Sequence, residues 1–379
     1  MRVEFYKRHQ PENQMDIVRQ VIYDENLADE GKAAACLTRL FQRTYGIFHV
    51  LWTTSASAAL EMAFRLMNLK PGDEVLIPSF TFPSAANAVL LAGGTPIFCD
   101  IEGKTQNIDT EKLERWVSPK TRGVVAAHYG GIACDMDALL EWAFLQGFTV
   151  VEDSAQGVHA KYKNQWLGTL GDYGAYSFHH TKNFSCGEGG AFLFKDEAMR
   201  FGASLLWENG TNKSQFLRKE VSSYAWQCGG SNYVLGSLNR ALLVSQLQAA
   251  NHITEVRKSI FQRYQDQFYL AGLPQRGFQL MEIPEEASPN YHLYYLLCPN
   301  HEEREKLRRG LLEDGIDARA HFVPLHLSPM GKKLGYAPED LPISRTVGDT
   351  LLRLPIHTLL TEEQIDYVVE RLVKRATRV

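Results

Sequence analysis

The stretch Gly174-Ala-Tyr-Ser-Phe-His-His-Thr-Lys182-Asn-Phe-Ser-Cys-Gly-Glu-Gly-Gly190 decides how this chain is read. Residues 176–178 close an apolar run that reads as the end of a buried strand. Lys182 follows in a loop, and a glycine-rich turn leads into a second apolar strand at 191–194. A lysine just beyond a strand end, among small residues, is placed as an imine-forming nucleophile, because a desolvated neutral amine attacks carbonyl compounds. A solvated loop lysine is the plain alternative, and the rest of the chain must decide between them.

Moving outward, short apolar strands alternate with helical stretches. Leu60, Ala63, Phe64 and Met67 recur at i, i+3, i+4 and i+7, one face of a helix. Pro71-Gly-Asp marks a turn, and strands are expected at 75–78, 95–100, 123–128 and 149–152. Helices are expected at 85–92, stopped by Gly93-Gly94, at 110–116 and at 136–146. This alternation predicts a mostly parallel sheet covered by helices on both faces, with ligands gathered at the C-terminal strand ends. After about residue 235 the texture changes. Residues 238–268 read as one long helix, followed by a short strand at 293–297 and a helix at 302–314. The expected division is a large domain, 1–240, with an N-terminal helical segment, and a smaller C-terminal α+β domain, 241–379.

With 379 residues the chain exceeds one ordinary core. It is 45% hydrophobic and 22% charged with a net charge of -4, so no basic footprint for nucleic acid is present. The N-terminus has no apolar core of a signal peptide, and no apolar run is long enough to span a membrane. Six scattered cysteines without a CxxC spacing read as free thiols rather than a disulfide frame or zinc site. A cytoplasmic location without nucleic-acid, membrane or metal partners is the expectation.

Three other segments end strands with polar residues. Thr53-Thr-Ser-Ala-Ser-Ala-Ala59 opens a helix, where free backbone N–H groups hold anions; a plain N-cap is the alternative. Val150-Val-Glu-Asp153-Ser-Ala-Gln156 places an acidic pair after an apolar strand, and a buried carboxylate wants a cation. That cation is either a structural partner or a protonated pyridinium. Pro78-Ser-Phe-Thr-Phe82 carries an aromatic that fills core or stacks on a planar ligand. Together an imine lysine, an acid, a phosphate cradle and an aromatic platform fit pyridoxal phosphate (PLP).

The ordered set also resembles the sugar-nucleotide aminotransferases. It is carried by Lys70-Pro-Gly-Asp-Glu-Val, Pro78-Ser-Phe-Thr-Phe82, Val151-Glu-Asp153-Ser-Ala-Gln156, Ser177-Phe-His-His-Thr-Lys182-Asn and Gly187-Glu-Gly-Gly190. His321-Phe-Val-Pro-Leu-His326 is similar to the family's His-Tyr-x-Pro-Leu-His. His128-Tyr-Gly-Gly-Ile-Ala-Cys-Asp-Met-Asp137, Gly210-Thr-Asn-Lys-Ser-Gln-Phe216, Tyr224-Ala-Trp226 and Gly230-Ser-Asn-Tyr233 narrow the resemblance to the dTDP-4-keto-6-deoxyglucose 4-transaminases. The chain departs from the pattern at Leu235-Gly-Ser-Leu238, where Ser237 replaces a carboxylate, and at Arg240, where a small residue is common.

The resemblance implies the type I fold of PLP-dependent transferases, with a seven-stranded large-domain sheet and a smaller C-terminal α+β domain. It implies that Lys182 holds the cofactor as an imine and that Asp153 pairs with the pyridine nitrogen. Gln156 bonds the ring phenolic oxygen, Ser55, Ala56 and Ser177 hold the phosphate, and Phe82 stacks on the ring. Asn232 reaches the phosphate of a neighbouring subunit, which requires a homodimer. His321 and His326 lie near the sugar nucleotide, and Lys213 and Arg319 are candidates for charged substrate groups or ordinary surface charges. The implied reaction moves an amino group from glutamate to a dTDP-4-keto sugar, in the galacto configuration. A gluco product and a 3-keto substrate are the alternatives. A non-catalytic regulator and a PLP lyase acting on amino acids are readings from other classes.

Overall fold

The computed structural model describes residues 1–23 and 32–376. Seven strands form the main sheet: β1 (Val50–Thr53), β2 (Glu74–Pro78), β3 (Thr95–Cys99), β4 (Thr121–Ala127), β5 (Thr149–Ser154), β6 (Tyr173–Ser177) and β7 (Gly190–Phe194). Their spatial order is β1-β7-β6-β5-β4-β2-β3. β7 runs against both its neighbours, and the pairs from β6 across to β3 are parallel. The strands read as near-continuous apolar runs because both faces are covered. Leu76, Val124, Ala126 and Val150 face one layer, and Val75, Ile77, Val125 and Val151 face the other.

On the second face lies the helix Ala56–Leu66, whose residues Ala59, Leu60, Met62, Ala63 and Phe64 are buried. The helix Ser84–Leu91 packs beside it. On the opposite face, Leu37 and Phe41 of the helix Lys32–Tyr45 pack with Trp52, Tyr176 and Leu193.

A three-stranded antiparallel sheet, Gln279–Leu280, Tyr294–Leu297 and Leu351–Leu354, forms the C-terminal part. One apolar cluster runs from Val124 and Ala126 of β4 through Tyr264 and Tyr294 to Val368 and Leu372. The first residues of the chain lie with this part: Val3 N donates to Gly315 O at 2.9 Å, and Val3 pairs with Ile316.

Two elements differ from the sequence reading. The expected single helix over 238–268 is two, Ser237–Gln248 and Ala250–Leu270, broken at Ala249 (φ -91°, ψ 6°) with no glycine or proline to announce it. Residues Thr110–Trp116 form a 3₁₀ turn rather than an α-helix. The six cysteines are free thiols. No helix among the described residues is long and apolar enough to cross a membrane.

Candidate active site

The strand register collects the polar residues at one end of the sheet. Asp153 stands level with Ala127 and Ala175, at the C-terminal ends of three parallel strands. Alternation separates it from Glu152, which points to the opposite face. Glu152 is fully buried and already satisfied. Its Oε1 accepts from Leu170 N and Gly171 N, both at 2.7 Å, and its Oε2 from Gly168 N at 2.6 Å and His128 Nε2 at 2.9 Å. His128 Nδ1 accepts from Cys134 N at 3.1 Å, so the ring hydrogen sits on Nε2. The acidic pair therefore divides into a structural carboxylate and one left to the site. Asp153 is buried, and its Oδ1 accepts from Ala155 N at 3.1 Å. Burial raises its carboxyl above the ordinary range, while the Ala155 N–H and the charge of Lys182 act the other way.

Lys182 lies in the loop between β6 and β7. Burial pulls its amine down to about 8, with Asp153 opposing and the cation of Arg353 adding to the depression. The loop is held from outside its own sequence. Asn183 Nδ2 donates to Asn290 O at 2.8 Å, and its Oδ1 faces His292 Nδ1 at 2.9 Å. Asn290 Nδ2 in turn donates to Gln156 O and Val158 O at 2.8 and 2.7 Å. This clamp joins the lysine loop to the loop after Asp153. Gly131 (φ 81°) makes room for it, since a Cβ there would lie 2.1 Å from Asn290 Oδ1. Burial holds the imidazole of His292 well below its ordinary pKa.

The cradle forms where three strands end together. Ser177, Gly190 and Thr53 are side by side in register. Ser55 is the N-cap of the helix Ala56–Leu66, and its Oγ accepts from Ala58 N at 3.1 Å. Ser177 is buried beside this helix start. A Cβ on Gly190 would stand 2.3 Å from Ser55 C and 2.6 Å from Ala56 N, so only glycine lets the two backbones meet. Phe82 is 58% exposed, with Phe322 its nearest ring at 6.2 Å, so it does not fill core; Phe80 does, packed on Tyr129 and Phe322. Asn232 is exposed and bridges to Glu208.

Gln156 is tied into the site, with its Oε1 accepting from Gly130 N at 2.7 Å. This fixes the amide so that its NH₂ is the uncommitted end. The hydroxyl of Tyr129 bonds His321 Nδ1 at 2.9 Å, which brings His321 to the same wall. The other expected substrate contacts are placed elsewhere. His326 is fully buried and bonded through Nδ1 to Ser79 Oγ at 2.7 Å, tethering its segment to the end of β2. Arg319 makes a two-pronged pair with Asp317 at 2.9 and 2.6 Å. Lys213 opens the short helix Lys213–Leu217. Sequence reasoning missed Asn290, His292 and Arg353. A lone arginine in the apolar strand Leu351-Leu-Arg-Leu354 was the available signal for the last.

The residues fit a phosphorylated pyridinium aldehyde: an amine nucleophile, a buried carboxylate without a protein cation bonded to it, and a glycine-permitted cradle at a helix start. The model of the DegT/DnrJ/EryC1/StrS aminotransferase family matches residues 9–373. The chain belongs to that family. This member is 33% identical over 338 residues to the spore coat polysaccharide biosynthesis protein SpsC of Bacillus subtilis, covering 87% of this chain and 86% of that one. It is 30% identical over 365 residues to a GDP-perosamine synthase of Caulobacter vibrioides, covering 95% and 94%. Among solved structures it is similar to Spr1654 of Streptococcus pneumoniae in its PMP form, with a TM-score of 0.91, 25% identity, and 100% and 98% of the two chains covered. The aminotransferase is thus a PLP-dependent sugar aminotransferase of the expected fold.

Proposed function

We propose that this aminotransferase moves the amino group of L-glutamate to the C4 carbonyl of dTDP-4-keto-6-deoxy-D-glucose, giving a dTDP-4-amino-4,6-dideoxyhexose of galacto configuration. The observation that carries the chemistry is Lys182, its amine depressed to about 8 by desolvation, within the electrostatic reach of Asp153, in the loop whose two ends, Ser177 and Gly190, meet the helix start at Ser55. The strings around His128–Asp137 and Gly210–Phe216 support the choice of sugar, and the first of them supplies Tyr129 and Gly130 to the wall with Gln156 and His321.

Bound PLP supplies an electron sink that makes the hydrogen on an amino acid's α-carbon acidic. The chain's own residues do the rest. The neutral Nζ of Lys182 takes that proton and returns it. A pKa near 8 keeps a useful share of the amine neutral near physiological pH, where an ordinary lysine would be almost wholly charged. The carboxylate of Asp153 holds the proton on the ring nitrogen, and its burial makes a cation there stabilising. Ser55, Ala56 and Ser177 hold the phosphate, Phe82 covers the ring, and the amide NH₂ of Gln156 reaches the phenolic oxygen. Asn232 serves the site of a second subunit, so the working form is a homodimer.

A second reading keeps the reaction and changes the nucleotide to GDP. It is favoured by similarity to two GDP-perosamine synthases, at 30% and 28% identity. The test is to convert the purified protein fully to its amino form with glutamate. Either dTDP-4-keto-6-deoxyglucose or its GDP-linked counterpart is then added. Return of the near-visible absorbance with the dTDP sugar alone, and a galacto product by NMR, is the expected result. Return with the GDP sugar alone selects the second reading. No bleaching by glutamate in any form sinks both.

A further inference from the structure

We propose that His179, His180 and Glu188 form a site for one divalent transition-metal ion of the zinc class, which clamps the two arms of the lysine loop together. Each side chain offers one donor atom, and the three atoms lie within 4.8 Å of one another. His179 and His180 follow β6 and Glu188 precedes β7, so the donors come from opposite arms of the loop. His179 Nε2 faces Glu188 Oε1 at 3.3 Å. Two donors held about 2.0–2.1 Å from a zinc ion, at a tetrahedral angle, stand about 3.3–3.4 Å apart. One edge of the coordination polyhedron is therefore already formed. His180 brings the third donor, its ring centroid 3.9 Å from that of His179, on an exposed side chain with room to turn toward the ion. The cysteine spacings carry no metal signature, and this cluster uses no cysteine: the nearby Cys186 is buried, and its thiol donates to Glu188 O at 3.3 Å.

The surroundings hold these donors in place. Phe178 N donates to Gly189 O at 2.8 Å and Cys186 N to Phe178 O at 3.0 Å, which ties the two arms backbone to backbone beside the cluster. Asn239 Nδ2 donates to the carbonyl of Glu188 at 3.0 Å. Without an ion, His179 Nδ1 accepts from Thr181 N at 3.3 Å, which leaves the ring hydrogen on Nε2, toward Glu188. Metal binding at Nε2 moves that hydrogen to Nδ1, where Thr181 Oγ1 stands 2.9 Å away to accept it. Such an outer contact fixes the tautomer and the orientation of a metal-bound imidazole. Two imidazoles and one carboxylate suit zinc, cobalt, nickel or copper, whereas magnesium and calcium take oxygen donors. Three protein ligands leave a fourth position to water. The same histidine is bonded to the catalytic residue, since Lys182 N donates to His179 O at 2.9 Å. An ion that joins positions 179 and 188 restrains the loop that carries Lys182.

The test uses the full-length holoenzyme without a histidine tag, freed of trace metal, and its His180→Ala, Glu188→Gln and Thr181→Val variants. Zn²⁺ is titrated calorimetrically into each. One Zn²⁺ per chain is expected in the wild type. His180→Ala and Glu188→Gln should each weaken binding by more than the roughly 10–100-fold that losing an outer-shell partner costs, and Thr181→Val by about that range. A large excess of Mg²⁺ should not compete. Amide hydrogen exchange of residues 178–190 is followed in parallel. Zn²⁺ should slow exchange in this loop in the wild type and leave it unchanged in His180→Ala. All three substitutions change exposed side chains, and a retained near-visible band of bound PLP shows the loop intact. If Glu188→Gln loses that band, His180→Ala decides. No Zn²⁺ bound, equal binding by His180→Ala, displacement by Mg²⁺, or a thiolate charge-transfer band in the Co²⁺-loaded protein overturns the site. Zn²⁺ held by these residues without slower exchange in the loop overturns the clamp. Neither readout depends on amino transfer, so the proposed function stands or falls separately.

Discussion

At the residue scale, the chemistry turns on one amine and the groups that set its charge. Lys182 is pulled to about 8 because burial penalises its ammonium form more than Asp153 rewards it. Imine formation needs the neutral amine. In the cofactor-free protein, the rate of PLP capture should therefore rise with pH through about 8 and flatten above it. Stopped-flow growth of the near-visible band across a pH series measures this. A rate that climbs without a bend to above pH 10 would show an ordinary, unshifted lysine. Lys182→Ala removes both the covalent attachment and the proton carrier. Turnover should fall by at least about 10²–10⁴-fold, while the cofactor remains bound through its phosphate, seen as a non-covalent spectrum that dialysis removes slowly. Residual turnover near that of the wild type would mean that another group moves the proton.

At the scale of elements, the site depends on backbones meeting closely. Gly190 of β7 touches Ser55 and Ala56 at the start of the helix Ala56–Leu66, where an added Cβ has no room. Gly190→Ala must push the strand and helix start apart. The expected cost is about 1–3 kcal/mol of stability, with a loss of roughly tenfold in PLP affinity as the N–H groups leave their aim. Equilibrium unfolding in urea and a PLP titration of the variant read the two effects. Unchanged affinity would place the phosphate elsewhere. This geometry was half-legible in the sequence. The small residues 53–59 and the glycines 187–190 announced two turns, and apolar runs announced the strands because β2, β4 and β5 are buried on both faces. That the two turns touch is a property of strand order, which local pattern does not carry. The clamp of Asn183 by Asn290 and His292 was illegible for the same reason, since it closes over a separation of 107 residues. The break at Ala249 left no trace either, because neither glycine nor proline makes it.

At the scale of the whole molecule, one surface asks for a partner. The segment around Asn232 lies against the helix that carries the cradle: Arg65 Nη2 donates to Gly229 O at 2.5 Å, and Tyr233 bonds Glu61 at 2.8 Å. On that segment Tyr224 and Trp226 are 54% and 79% exposed, and Leu238 just beyond it is 41% exposed. Large aromatic groups left in water together mark an interface. In a two-fold dimer the same patch is used by both copies, so a residue given by one subunit is received by the other. This makes a subunit-mixing experiment decisive. Lys182→Ala and Asn232→Ala subunits are each expected to be weakly active alone. Unfolded together and refolded at equal amounts, half of the dimers should be mixed, and each mixed dimer should hold one site with both residues intact. Activity should then recover to about a quarter of the wild type. If Asn232 acts within its own subunit, every site in the mixture carries a defect and no activity returns. If mixing rescues, each catalytic lysine works against a phosphate contact supplied from across the interface, and the monomer alone is an incomplete enzyme.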